Sequence, residues 1–199
     1  MNFLAHMTLS QFGPFELINV CWFALALFWI VTSLGVKQKA KAESSTERWT
    51  HLSFLIAGAL LLFKSDWPWA FLQARLYPDV VWIQWTGAGL TLAGVLFAIW
   101  ARISLGRNWS AEVQIKQDHQ LIRTGPYNYI RHPIYTGVLL GLLGNTVAIG
   151  EVRGALAYVV IVIGFIRKAK KEEMFLAGQF GSAFKEHRRR TGFFLPRFS

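Results

Sequence analysis

Between Val80 and Ala101 the chain runs for 22 residues without an Asp, Glu, Lys or Arg. About 20 apolar residues is the length a helix needs to cross the hydrocarbon core of a bilayer. In lipid every backbone N–H and C=O must find a partner inside the protein, so a run of this kind is confined to a helix. A second run, from Phe15 to Val36, has Glu16 as its one acidic or basic residue. Two such stretches, with 53% hydrophobic residues overall, set the class as an all-α integral membrane protein.

The remaining apolar sequence predicts three more spans. Trp49 to Phe63 is short and is followed by Lys64 and Asp66, so it either continues through Trp67, Pro68 and Trp69 at the interface or thins the bilayer locally. Pro133 to Ile166 is too long for one span, and Gly150-Glu151-Val152-Arg153-Gly154 interrupts it. The charges and glycines there predict a surface turn between two shorter helices, a hairpin. Gly87, Gly89 and Gly94 in the third span predict close approach of a neighbouring helix.

The basic residues orient these five spans, because Lys and Arg gather in cytoplasmic loops near span ends. Lys37 to Arg48 has four, Arg102 to Arg131 has five, and the tail from Arg167 has nine; the other connections carry Lys64, Arg75 and Arg153. That bias places the N-terminus outside and the C-terminus in the cytoplasm. Residues 1–199 then form a single membrane domain. Within it 1–101 hold the first three spans, and 102–199 a cytoplasmic loop, the hairpin and a tail that make up the catalytic region. The net charge of +10 follows from the same bias together with attraction to anionic headgroups, and no nucleic-acid motif accompanies it. Cys21 is the only cysteine, which excludes an intrachain disulfide and a cysteine-based metal site. No basic region precedes the first apolar block, so a cleaved signal peptide is not expected.

The segment ARISLGRNWSAEVQIKQDHQLIRTGPYNYIRHPIY is the richest in polar chemistry. Alternation over Glu112 to Lys116, a turn-like Gln117-Asp118-His119-Gln120 and then Leu121-Ile122-Arg123 predict a short extended hairpin. Arg131 and His132 precede Pro133, which suits the first turn of a helix. They therefore flank a helix N-terminus, where unpaired N–H groups and an Arg fork suit an anion. As interfacial anchors, with Tyr127, Tyr129 and Tyr135 as belt aromatics, they have an equally ordinary reading.

The run RTGPYNYIRHPIYTG resembles the signature of isoprenylcysteine carboxyl methyltransferases and the related membrane phospholipid methyltransferases. KKEEMFLAGQFGSAFKEHRRRTGFFLP is similar to the closing pattern of that family, and together the two cover about Asn108 to Pro196. The resemblance implies an S-adenosylmethionine-dependent methyltransferase that takes a hydrophobic, lipid-like or prenylated substrate from the bilayer, carboxyl O-methylation being favoured. By position it implies cofactor contacts at Gln114, His119, Gln120, Leu121, Ile122, Tyr127, His132, Pro133, Ile134, Tyr135, Glu172 and Glu173. Arg131 is then the candidate catalytic residue, and Arg167 and Lys168 the candidate substrate contacts. Where the prenylcysteine enzymes carry an arginine four residues before the first glutamate, this chain has Lys168, which lacks a bidentate fork. Glu172 and Glu173 also have a plain reading as helix-surface partners of neighbouring lysines. Two other classes compete: an NADPH-dependent membrane reductase of the sterol-reductase type, and a non-catalytic lipid-binding module.

Overall fold

The computed structural model describes residues 12–33, 39–42, 45–64, 66–106, 114–116 and 121–197. Five long helices dominate them: α1 (Pro14–Ser33), α2 (Ser45–Phe63), α4 (Val81–Leu105), α5 (Pro133–Ile149) and α6 (Val152–Arg190). A one-turn α3 (Ala70–Gln73) and two short strands, β1 (Lys39–Ala42) and β2 (Gln114–Lys116), complete the elements discussed below. α1 and α4 are long and apolar enough to cross a membrane; α5 and the Trp49–Phe63 part of α2 are shorter apolar helices. Large apolar side chains such as Phe23, Ile30, Trp82 and Val159 are exposed around the outside, the distribution a lipid-facing surface has.

The most extensive contact joins α4 and α5, and small residues on both sides make it close. A Cβ added to Gly87 would lie 2.5 Å from the Gly144 carbonyl oxygen, and one on Gly137 would lie 2.6 Å from the Ala98 nitrogen. Gly94 faces Gly137 and Gly141 in the same way. Fully buried Thr91 has its Oγ1 3.0 Å from the carbonyl oxygens of both Gly87 and Gly141. Backbones this near gain dispersion and polar contacts that do not depend on a hydrophobic driving force. Gly89, the third glycine expected at an interface, faces open space.

The expected hairpin turn is tighter than the sequence suggests. α5 ends on Gly150 in the left-handed region (φ 67°), and α6 begins at Val152 after Glu151. Arg153 and Gly154 therefore belong to a helix rather than to a surface loop. Arg153 is 8% exposed, because its Nη1 donates to the Leu62 carbonyl at 2.6 Å and its Nε pairs with Glu151 at 2.6 Å. A cation over the last carbonyls of α2 satisfies acceptors that the helix itself leaves unpaired. At the opposite end of the bundle Arg102 does similar work, donating to Gly106 and, at 2.9 Å, to Thr32 at the end of α1.

Of the extended hairpin expected within Glu112–Arg123, the turn at Gln117–Gln120 lies outside the described residues. Gln114–Lys116 pairs antiparallel with Lys39–Ala42, and Leu121–Arg123 lies in no strand. Alternation specifies an extended backbone but not its partner. Here the partner is the connection between α1 and α2, so the two loops that the basic residues place on one side form a ribbon together. α6 runs for 39 residues and is broken at Gly181 (φ 50°, ψ −118°), so the basic stretch up to Arg190 leaves the direction of the apolar part.

Candidate active site

The candidate site begins at the start of α5. His132 is its N-cap residue and Pro133 its first residue; proline's fixed φ favours helix initiation there and its missing N–H costs nothing. The preceding Tyr129–Arg131 backbone is held by the tail. Gly192 N donates to the Tyr129 carbonyl at 2.9 Å, Arg131 N to Gly192 at 2.9 Å, and His132 N to Phe193 at 3.3 Å. Thr136 Oγ1 adds a bond to the Phe194 carbonyl at 2.7 Å. Residues 191–194 thus form a strap across the N-terminus of α5, with Phe193 and Phe194 edge-on to the His132 ring at 5.1 and 6.1 Å.

From α6, Glu172 and Glu173 enter this corner. The Arg131 Nε donates to Glu173 Oε1 at 2.5 Å, with both side chains 11% exposed, and its Nη1 donates to the Thr191 carbonyl. His132 stands between the two carboxylates, Nδ1 3.4 Å from Glu172 and Nε2 3.3 Å from Glu173. Tyr135 donates its hydroxyl to Glu172, and its ring stacks on His132 at 5.6 Å with 4° between planes. Phe165 packs against Tyr135 at 4.9 Å, while Lys168 Nζ lies 5.9 Å from the Tyr135 ring.

Burial is the largest influence on the three titrating groups and opposes charge on each. Pairing outweighs it: hydrogen bonds and charge from both glutamates hold His132 above its ordinary value. His132 holds Glu172 and Glu173 below theirs, helped by Lys168 and Tyr135 at Glu172 and by Arg131 at Glu173. The pairing in this corner thus favours the charged form of each group, and each has an opposite partner, the condition under which such burial is tolerated.

The sequence-derived candidates divide into three groups. Arg131, His132, Tyr135, Glu172 and Glu173 meet in the cluster, with Lys168 at its edge. Pro133 and Ile134 are buried beneath it, while Tyr127 and Ile134 pack with Ala101 and the partly buried Ile122 in an apolar cluster behind it. Burial, then the charge of Glu172, pushes the Tyr127 hydroxyl strongly up, so it stays protonated. Leu121 is half-buried. Gln114 falls on β2, and His119 and Gln120 lie outside the described residues. Arg167 points elsewhere, over Phe54 of α2 at 5.9 Å. The strap residues Thr191, Phe193 and Phe194 and buried His187 were not singled out from sequence. Their one signal was the position of Gly-Phe-Phe in the closing motif.

Comparison with known proteins finds relatives of one family. Residues 87–178 match the Isoprenylcysteine carboxyl methyltransferase (ICMT) family. The chain is 31% identical over 157 residues to "Cobalt-zinc-cadmium resistance protein CzcN" of Cupriavidus metallidurans, covering 76% of this chain and 63% of that protein. It is 29% identical to "Protein-S-isoprenylcysteine O-methyltransferase B" of Arabidopsis thaliana over 58% of this chain and 60% of that protein. With the human protein-S-isoprenylcysteine O-methyltransferase it shares 27% identity over 66% of this chain and 49% of that one. The chain thus spans about three fifths or less of the length of these relatives.

Proposed function

We propose that this chain, which matches the isoprenylcysteine carboxyl methyltransferase family over residues 87–178, transfers a methyl group from S-adenosylmethionine to a hydrophobic substrate drawn from the bilayer. The observation that carries the reading is the meeting of Arg131 and His132 with Glu172 and Glu173 in one buried cluster. Two motifs separated by about 40 residues supply one site. In this reading α1, α2, α4, α5 and the apolar part of α6 are five spans, and the cluster faces the cytoplasm, as the basic residues require.

The residues present fit the cofactor. A zwitterionic amino-acid group needs both signs of charge within a few Å, and the cluster offers an Arg, a His and two carboxylates. Arg131 and His132, at a helix N-terminus, suit a carboxylate; Glu172 accepts from an amine or from ribose hydroxyls; the Tyr135 face suits a cation. S-adenosylmethionine, when bound, supplies an activated methyl group on a sulfonium. The protein's part is to hold donor and acceptor in line, an effect worth up to ~7–11 kcal/mol. A carboxylate acceptor needs no base, whereas an amine or thiol acceptor must lose a proton and calls on a general base.

Titration of detergent-solubilised protein with S-adenosylmethionine, S-adenosylhomocysteine and NADPH separates the competing classes. Binding of the first two is expected. Preferential NADPH binding would identify a reductase, and binding of none a non-catalytic module. His132→Ala and Glu172→Ala are each expected to weaken S-adenosylmethionine binding tenfold or more, on the order of 1.4 kcal/mol. Unchanged affinity in both removes the site assignment.

A further inference from the structure

Among the described residues the most exposed large apolar side chain lies outside the apolar helices. Leu195 is 76% exposed, on a loop fastened at both ends. The Tyr129 carbonyl accepts from Gly192 N at 2.9 Å and from Arg197 N at 3.1 Å, which pins residues 192–197 to the backbone just before α5. The turn between is tight, since a Cβ on Gly192 would lie 1.8 Å from the Leu195 carbonyl oxygen. Leu195 therefore stands out from a fixed loop, with Pro196 and Arg197 exposed beside it. The helical residues 182–190, beyond the break at Gly181, carry a second feature. Phe184 and His187 are buried, and Arg123 Nη2 donates to the Ala183 carbonyl at 2.6 Å, so one side of this segment is seated on the protein. At about 100° per residue, Lys185 and Arg189 fall together on the opposite side. Both are exposed, and neither side chain has a hydrogen bond or ion pair among the described residues. Glu186, the one carboxylate in residues 182–197, is taken up by Arg190 at 2.7 Å.

We propose that residues 182–197 dock on the anionic surface of the cytoplasmic leaflet. Leu195 enters the boundary between headgroups and acyl chains, and Lys185, Arg189 and Arg197 meet lipid headgroups. The proposal rests on the reading above in which α5 is a span that starts at the cytoplasmic face. Residues 191–194 bond to residues 129–132 and to Thr136, so the loop is held at the depth where Pro133 begins the span. At that depth an exposed leucine leaves water for the interfacial region. One apolar side chain is a weak anchor, and the cations supply the rest: each lysine or arginine near an anionic leaflet adds about fivefold to affinity. An acidic protein would satisfy the cations but not the leucine. Docking also bears on the candidate active site. The same tail gives the Thr191 carbonyl to Arg131 and sets Phe193 and Phe194 edge-on to His132, so a docked tail keeps the strap in place across the cluster.

The test places the whole chain in nanodiscs of phosphatidylcholine, alone or with one third phosphatidylglycerol, and follows hydrogen exchange of residues 182–197 by mass spectrometry. Exchange is expected to be tenfold or more slower in the anionic discs, and high salt should remove the difference. The triple variant Lys185→Gln/Arg189→Gln/Arg197→Gln should lose the slowing while exchange in α4 and α5 stays as before, which shows that it is folded. A solvent-sensitive fluorophore on Leu195→Cys, in a Cys21→Ala background, should emit as in an apolar medium and be quenched by nitroxide-labelled lipid. Equal exchange in the two kinds of disc, slowing retained by the triple variant, or an unquenched fluorophore with its emission in water overturns the proposal. Inorganic phosphate that slows exchange as much in phosphatidylcholine discs overturns the lipid surface as the partner. Rapid exchange throughout α4 and α5 of the unaltered protein in discs would instead strike the membrane-spanning reading.

Discussion

Glu173 is the most connected carboxylate of the cluster, and Glu173→Gln is its sharpest probe. The change keeps shape and one acceptor oxygen but removes the charge that faces Arg131 at 2.5 Å and His132 at 3.3 Å. Arg131 and Glu173 are each 11% exposed, so solvent does little to replace the lost partner. A hydrogen bond to a charged group contributes about 1.5–3 kcal/mol, and stripping one partner from a buried pair costs about 3–5 kcal/mol. Because glutamine still accepts one bond, a loss of about 2–3 kcal/mol is expected. The assay is equilibrium unfolding in mixed detergent micelles, read by tryptophan fluorescence. Arg131→Met/Glu173→Gln completes a double-mutant cycle, and the double variant should lose less than the sum of the singles, because the stranded guanidinium is gone. A cost below about 0.5 kcal/mol, the range of ordinary surface substitutions, or strict additivity would refute the paired-charge account.

Three further outcomes follow from the same structure. Gly94→Val should destabilise by at least ~2 kcal/mol through overpacking against Gly137 and Gly141, whereas Gly89→Ala, which meets open space, should be neutral or gain up to ~1 kcal/mol of helix propensity; unfolding of the two variants side by side checks this. Arg153→Ala should cost about 2–4 kcal/mol by leaving the Leu62 carbonyl unpaired and Glu151 alone, with loss of protease protection at the end of α2. Stability should also peak near pH 6.5. His132, raised above 6.5 by its carboxylates, contributes fully below that value and is lost as pH rises through its folded value. Glu172 and Glu173, lowered from 4.5, contribute fully above it and are lost as pH falls through their folded values. His187, pushed down to about 4 by burial and then by Arg123 and Arg131, erodes stability as pH falls from 6.5 to 4. Thermal unfolding across pH 4–9 reads this out, and His132→Gln should flatten the alkaline side.

Some of the site was visible before any coordinates. Pro133 after Arg131-His132 announces a helix N-terminus, and the paired glutamates lie beyond the last apolar stretch; both are local features of composition and order. The sequence could not show that His132 stands between those glutamates, since that depends on how α5 and α6 pack. It also could not show that Arg167, one residue from Lys168, faces a different helix. A turn of 100° per residue separates neighbours, and which neighbour lies on each side is decided by α2.

By itself the amino-acid order marked the apolar runs that become helices and the start of α5 at Pro133, and it set the expectation of a lipid solvent and of a sidedness for the basic residues. These follow from transfer free energies and local backbone chemistry, which act residue by residue. Tertiary structure decided the rest. Gly87 and Gly94 meet α5 while Gly89 does not; Gln114–Lys116 pairs with a strand about 75 residues earlier; and Arg153, which reads as a loop charge, is a buried cap on α2. Each of these depends on which surface arrives opposite, and a partner distant in sequence leaves no mark on the residues that await it.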